Sequence, residues 1–438
     1  MSFERNLLLQ NPWWSYKEAI NQDELIEKYE KHDIKIDKGW LMPKDGIYVI
    51  KGPRQIGKTT WIKLRIKDLL LDINPEEILY FQLDFLSEKE ELVAFLELLS
   101  KRSYKYIFLD EVSSFENWAE IIKPYIDRGD FKNSLLILTG SSSLELLKSA
   151  ERLPGRIDRI LYFVPFSYGE IFKRTTKFTW NSMDSLIKSY YLQQGIFEES
   201  FKNYLIHGGY PKAISEYRES KFIKTETYNI YRIWLEGEIA KFKKTDTTAK
   251  TIIKYLIKTF TTPISWSNVK IYSHTTVAEY MEVFEKLFFL CIIYNSLSPI
   301  GESKRKKIYF LDPFILHVTN YYSTGVNPWV FTQEIFKNSQ EHAKLIEQAV
   351  FTNLLINWVN KKDMNYFDYK NEIFYYRTKS GKEIDFMIEN KGIEVKLSST
   401  KKTYDAIVLT NDNLDLKRRH IPYSLFLIDP FLFLDALF

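Results

Sequence analysis

The stretch Gly52-Pro53-Arg54-Gln55-Ile56-Gly57-Lys58-Thr59-Thr60 carries the spacing Gly-x-x-x-x-Gly-Lys-Thr, in which each residue type has a task on phosphate. The two glycines let backbone amides come close to phosphate oxygens, and a helix starting at the loop's end adds partial positive charge. Lys58 would reach the β and γ phosphates, and Thr59 a Mg²⁺ ion. The apolar run Ile47-Tyr48-Val49-Ile50 predicts the strand that such a loop must leave. A second run, Tyr106-Ile107-Phe108-Leu109, closes on Asp110-Glu111. There Asp110 can hold the metal while Glu111 polarises the attacking water. A third run, Leu135-Leu136-Ile137-Leu138, ends in Thr139-Gly140-Ser141. Thr139 or Ser141 could sense a γ-phosphate, or the serine-rich stretch could cap a helix over 144–150. All these polar groups fall at C-terminal ends of expected strands, where open α/β sheets bind ligands. The ligands implied are ATP and Mg²⁺.

A second constellation lies near the other end. Residues 375–396 read as three short strands with turns at Ser380-Gly381 and Asn390-Lys391-Gly392. Strand alternation puts Glu394 and Lys396 on one face, and the hairpin can set Asp385 beside them. Asp385 and Glu394 could hold Mg²⁺ and a scissile phosphate, with Lys396 orienting the hydrolytic water. Glu347 stands in the helical pattern Lys344-Leu345-Ile346-Glu347-Gln348-Ala349-Val350. An acid on an apolar face needs a partner or a metal, so Glu347 could complete the set. A salt bridge among Asp385, Glu394 and Lys396 would have the same spacing.

Several elements must position these groups. At 438 residues the chain exceeds one ordinary core and suits about three domains. The loop, a following helix, a strand over 78–83, a helix over 87–102 and the strand before Asp110 make a β-α alternation, the signature of a parallel sheet. From 170 to 322 helical periodicity dominates, broken at Gly208-Gly209-Tyr210-Pro211 by a turn between helices. A helix from 252, a short helix over 265–272, a turn at 273–275 and a helix over 276–289 suit a helix-turn-helix. Strands over 290–294 and 308–311 follow, and the loop between them ends in Ser303-Lys304-Arg305-Lys306-Lys307. As a wing, Lys304, Arg305, Lys306 and Lys307 would touch phosphates of DNA (or RNA); as a solvated tip they would touch nothing. Net charge is only +4, so a nucleic-acid role must rest on such local clusters. The 45% hydrophobic and 27% charged composition is globular, no apolar run approaches the ~18 residues of a membrane span, and no signal-peptide pattern opens the chain. A cytoplasmic protein without membrane contact is expected. Cys291, the single cysteine, excludes an internal disulfide and reads as a buried thiol.

The order Gly52-x-Arg54-Gln55-x-Gly57-Lys58-Thr59, Leu109-Asp110-Glu111, Leu138-Thr139-Gly140-Ser141 and Gly155-Arg156 before Pro165-Phe166-Ser167, with Asn11-Pro12-Trp13-Trp14 near the start, resembles a prokaryotic P-loop ATPase family of the AAA+ group. Residues 375–396 resemble the restriction-endonuclease-like PD-(D/E)xK domain that ends such proteins. The resemblance implies an α/β fold: an AAA+-type P-loop parallel sheet over 1–168, a helical lid and winged-helix domain over 169–325, and an α/β nuclease-like domain over 326–438. It makes Arg156 a finger or sensor on the triphosphate, in cis or from a neighbour in a homo-oligomer; otherwise Arg156 is a solvated turn residue. Trp13 and Trp14 could stack on the base or pin the N-terminal segment to the core.

Overall fold

Short apolar runs separated by amphipathic stretches become strands and crossover helices in the first half of the chain. The computed structural model describes residues 2–32, 35, 37–40, 42–115, 117–140, 153–298, 305–362, 366–397 and 406–438. They fall into two compact units, Met1–Val164 and Pro165–Phe438.

In the first unit, β1 (Gly46–Lys51), β2 (Ile78–Gln82), β3 (Tyr106–Asp110), β4 (Leu135–Thr139) and β5 (Arg159–Tyr162) form one sheet in the order β2-β3-β4-β1-β5. Every pairing is parallel, and helices Lys58–Leu69, Lys89–Ser100 and Trp118–Arg128 lie between successive strands in the chain. Strands covered on both faces need no polar alternation, which is why they read as unbroken apolar runs. Phe81, Phe95, Leu109, Trp118 and Leu136 are among the residues of this core. The order has a functional consequence: β4 lies between β1 and β3, so the loop after β1, Thr139 and Asp110 meet at one edge.

The exposed edge of β2 is closed by the N-terminal segment. Asn11 Oδ1 accepts from the Tyr80 amide at 2.7 Å, and Asn11 Nδ2 donates to the Tyr80 carbonyl at 2.8 Å. The indole N–H groups of Trp13 and Trp14 both donate to the Ile78 carbonyl. Asn-Pro-Trp-Trp therefore satisfies backbone groups of an edge strand that would otherwise invite another chain; both tryptophans are pins.

The second unit opens with helices, among them Met183–His207, Asp246–Thr259 and His274–Lys286 with the short turn Trp266–Asn268 between the last two. Strands β6 (Leu290–Tyr294) and β7 (Lys306–Phe310) then pair as an antiparallel hairpin, to which Ile264 adds a bridge at Lys306. The long helix Ser339–Lys362 leads into a mixed sheet: β8 (Ile373–Arg377), β9 (Glu383–Ile388), β10 (Lys391–Val395), β11 (Ile407–Thr410) and β12 (His420–Pro422), in the order β12-β11-β10-β9-β8. The first three are antiparallel neighbours and the last three parallel. The fold class is thus the expected one: a parallel P-loop sheet, a helical region, then a mixed α/β sheet.

The glycines expected to turn the chain do so under a tight constraint. Gly208 adopts φ +53°, and a Cβ there would lie 1.7 Å from Asp312 Oδ1. Asp312 is fully buried, caps helix Pro313–Thr324 through the Phe314 amide and accepts from the Gly209 amide at 2.7 Å, so it cannot step aside. Gly208→Ala should therefore lose about 3 kcal/mol or more, measured by urea unfolding; an unchanged midpoint would show that Asp312 can move.

Candidate functional site

Helix Lys58–Leu69 starts directly on the phosphate loop, with Gly57 at φ +102° as its N-terminal boundary. Gly52 is required for a different reason: a Cβ would lie 2.2 Å from the Phe163 carbonyl oxygen, which follows β5. Gln55 turns the loop at φ +59°, Ile56 is buried beneath it, and Pro53 and Arg54 complete the curve. Lys58 Nζ donates to the carbonyls of Gly52 at 3.0 Å and Pro53 at 2.9 Å, so the ammonium folds back over its own loop. Those carbonyl oxygens stand in for phosphate oxygens. Thr60 lies one residue along the same helix.

Asp110 organises the rest. Its carboxylate is 1% exposed and accepts from Thr59 Oγ1 at 2.7 Å, from Tyr80 OH at 3.2 Å, from the Glu111 amide at 3.1 Å, and from Thr139 Oγ1. All these donors are electrically neutral. Glu111 sits just beyond the strand at φ 54°, a left-handed turn that swings its side chain off the β3 axis. Burial pushes the Lys58 ammonium down to about 8, against the pull of Glu111 and Asp110 and with help from Arg54. Lys58, Arg54, Asp110 and Glu111 are therefore close enough for the lysine to feel the other three charges. A Mg²⁺ ion suits oxygen donors, and Thr59 with Asp110 supplies two of them on adjoining elements, so these residues fit the metal that the fold implies.

Three residues absent from the sequence reading support Asp110. Tyr80 shares a strand face with Gln82, the residue in register with Asp110. Lys63 places its ammonium 3.7 Å above the Tyr80 ring and 3.3 Å from Asp23. A tyrosine two positions before the end of an apolar strand, on the ligand side, was the available signal; the Lys63–Asp23 pair left none.

Arg156 is not brought to the loop. Its guanidinium pairs with Asp127 through Nε at 2.5 Å and Nη2 at 3.1 Å. It precedes β5, beside the start of β1, where Asp158 Oδ2 accepts from the Ile47 amide at 2.7 Å. The loop follows the opposite end of β1, a strand length of about 20 Å away. Within one subunit Arg156 thus lies at the end of β1 opposite the phosphate loop and is paired with Asp127, a geometry that does not support a finger in cis. Ser141 lies outside the described residues.

In the second unit, β9 and β10 bring Asp385 and Glu394 together. The Asp385 amide donates to Glu394 Oε2 at 3.3 Å, and the Val395 amide to Asp385 Oδ2 at 2.9 Å. Lys396 pairs with Glu394. Glu347 joins the cluster, but not across a metal-sized gap: Lys307 Nζ lies 3.1 Å from Glu347, 3.1 Å from Asp385 and 3.0 Å from Glu383. Tyr309 OH also donates to Glu347 at 2.6 Å. Burial drives the Glu347 carboxyl up to about 7, with Lys307 opposing and Asp385 adding to the rise. Burial alone would lower the Lys307 ammonium, but Glu347, Asp385 and Glu383 together hold it well above its ordinary value. Among the described residues no group of three or more His, Cys, Asp or Glu is arranged to hold a metal ion. The acids do not fit a divalent ion while an ammonium stands among them.

Of the basic tip expected to touch nucleic acid, Lys307 is corrected accordingly. Lys307 has its side chain 1% exposed, because β7 begins at Lys306 and pairing of Lys307 with Ile293 turns it inward. Lys306 is half-buried over the Trp266 ring at 5.0 Å. Arg305 is exposed and its carbonyl accepts from Tyr375 OH. Lys304 lies outside the described residues.

Three family models match the chain: an AAA domain over residues 44–172, a domain of unknown function (DUF8612) over 198–326 and a domain of unknown function (DUF4143) over 343–425. Two proteins of Methanocaldococcus jannaschii are similar. The uncharacterized protein MJ1637 is 28% identical over 244 residues, 51% of this chain and 48% of that protein, so the match spans about half that relative's length. The uncharacterized protein MJ1544 is 26% identical over 437 residues, 92% of this chain and 88% of its own. Among solved structures, the Thermotoga maritima RuvB Holliday junction branch migration motor covers 66% of this chain and 87% of its own at 15% identity, with a TM-score of 0.29. The AAA match and the parallel sheet agree: the first unit is an AAA-type P-loop ATPase domain. No helix of the described residues is long and apolar enough to cross a membrane.

Because Lys58 loses its proton as pH rises through about 8, affinity for a nucleoside triphosphate should be constant below that pH and fall roughly tenfold per unit above it. Titration with a fluorescent ATP analogue across this range reads the slope. Lys58→Ala should abolish it, and a flat wild-type profile would remove Lys58 from phosphate binding.

Proposed function

We propose that this chain is a Mg²⁺-dependent ATPase that couples ATP binding and hydrolysis to nucleic-acid binding by residues 165–438. The observation that carries the ATPase part is the sharing of Asp110 by Thr59 and Thr139. One carboxylate links the phosphate loop to the strand between β1 and β3, so a change at the γ-phosphate reaches three elements at once. Mg²⁺, held by Thr59 and Asp110, would supply neutralisation of the phosphate charge. Lys58 would leave the loop carbonyls for the β and γ oxygens. Glu111 would hold and polarise the attacking water, with Thr139 reporting the γ-phosphate through Asp110.

Support for the nucleic-acid part is the element order Asp246–Thr259, Trp266–Asn268, His274–Lys286, β6, β7, with Ile264 bridging Lys306, which suits a winged helix. Arg305 is the exposed base left at the described part of the tip. A second reading, a nucleotide-driven switch that binds a different partner without cutting it, is favoured by a specific observation. Helix His274–Lys286, which would enter a groove, exposes the acids Glu279 and Glu282. Measured DNA affinity separates the two: nucleic-acid binding should weaken steeply with salt, whereas a protein partner leaves DNA affinity absent at every salt concentration. Cutting is not included in either reading, since Lys307 fills the acid cluster.

Two substitutions test the ATPase. Lys58→Ala should remove both nucleotide binding and turnover. Glu111→Gln should keep ATP bound while slowing hydrolysis by about 10²-fold or more; turnover at the wild-type rate would take Glu111 out of the mechanism. Arg156→Ala should leave the rate of dilute protein unchanged. A loss confined to concentrated protein, restored by mixing with Lys58→Ala, would assign Arg156 to a neighbouring subunit.

A further inference from the structure

The hairpin β6–β7 delivers Lys307 into the acid cluster and is held there from several sides. Gln348 on the long helix accepts from the Phe310 amide at 2.8 Å and donates to its carbonyl at 2.5 Å. Asn295, at the end of β6, accepts from the Arg377 amide at 3.1 Å and donates to the Arg377 carbonyl at 2.8 Å, on the edge strand β8. The Ser296 amide donates to the Tyr375 carbonyl at 2.8 Å, and Tyr375 OH to the Arg305 carbonyl at 3.0 Å. Lys307 is therefore built in place by its strand.

We infer that the Lys307 ammonium is the resident cation of this cluster, standing among Glu347, Glu383 and Asp385 where a divalent ion would have to bind. The inference rests on reading the mixed sheet as nuclease-like. An ammonium has three donors, and here three carboxylates lie within 3.1 Å of it. Mg²⁺ demands oxygens at ~2.0–2.1 Å in near-octahedral order, which would set two cations almost in contact. Local charge agrees. Glu347, Glu383, Asp385 and Glu394 face Lys307, Arg377 and Lys396, with Arg377 3.0 Å from Glu383 and Lys396 paired to Glu394. Four acids against three bases leave at most one negative charge, too little to attract a divalent ion strongly. Lys396 is committed to Glu394 as well, so the base a nuclease would aim at water is engaged elsewhere.

The test is Mn²⁺ binding to the full chain without nucleotide, read by electron paramagnetic resonance, with thermal unfolding in EDTA and in Mn²⁺. Wild type and Asp385→Asn should bind the same number of ions. Lys307→Met should bind one more, lost again in Lys307→Met/Asp385→Asn, and its melting temperature should be lowered in EDTA and raised by Mn²⁺. Folding of Lys307→Met only in Mn²⁺ supports the same conclusion. If that variant folds in neither, the wild-type and Asp385→Asn comparison decides. An ion bound by wild type and lost in Asp385→Asn overturns the inference while leaving the nuclease-like reading intact. A folded Lys307→Met that gains no ion, with wild type indifferent to Asp385→Asn, overturns it by removing the nuclease-like reading itself.

Discussion

A carboxylate taken out of water needs a donor on nearly every lone pair, and Asp110 meets that demand with Thr59, Thr139, Tyr80 and the Glu111 amide. The architecture of the first unit follows from it. The strand order, with β4 between β1 and β3, brings Thr139 and Thr59 to one acid. Tyr80 reaches Asp110 from β2, and Lys63 and Asp23 hold the Tyr80 ring, while Asn11 fixes its peptide groups. The N-terminal segment is thereby connected, through one strand and one tyrosine, to the acid that would hold the metal.

The same demand is answered differently in the second unit. Around Asp110 the immediate donors are hydroxyls and an amide, so its negative charge remains available to a cation. Around Glu347 and Asp385 the donor is an ammonium, which cancels charge as well as satisfying lone pairs. Two acid sites that look alike in sequence thus differ in what they can still bind. A neutral shell leaves an acid poised for Mg²⁺; a buried lysine leaves it spent. Removing one partner of such a buried set is costly because the other charges are stranded, and the hairpin that carries Lys307 is held by Gln348 on Phe310 and by Asn295 on Arg377.

The sequence made the phosphate loop legible because its spacing is long and its strand and helix flank it, and Asp110 because an acid closing a four-residue apolar run has few structural uses. The mixed sheet was legible from Ser380-Gly381, which falls between β8 and β9, and from Asn390-Lys391-Gly392, although the second turn is made by Glu389 and Asn390 and β10 already begins at Lys391. Asp385 and Glu394 were paired correctly because alternation and a two-residue turn fix register. What stayed hidden were interactions carried by residue direction. Four consecutive bases read as a loop, yet β7 starts inside them at Lys306, so Lys307 is turned in by the strand while Arg305, which precedes it, stays out. Arg156 was assigned through resemblance alone, with no residue pattern to say which end of β5 it occupies. Asn11 and Tyr80 are separated by 69 positions, a distance over which no local period can speak.

A shared device bears on how the hairpin can act. Asn11 on Tyr80, Gln348 on Phe310 and Asn295 on Arg377 are each a side-chain amide bonded to both peptide groups of one strand residue. A side-chain amide sets an N–H donor beside a carbonyl acceptor in the spacing of a peptide, so it imitates a neighbouring strand one residue long and closes an edge without extending the sheet. Two of these three clamps hold the β6–β7 hairpin. For that hairpin to swing outward as a wing, both would have to open, and Lys307 would have to leave three carboxylates behind in a buried site. Any nucleic-acid contact of the kind proposed would therefore have to use what already faces outward, the tip at Arg305 and the surface of the preceding helices, with the strands themselves staying where they are.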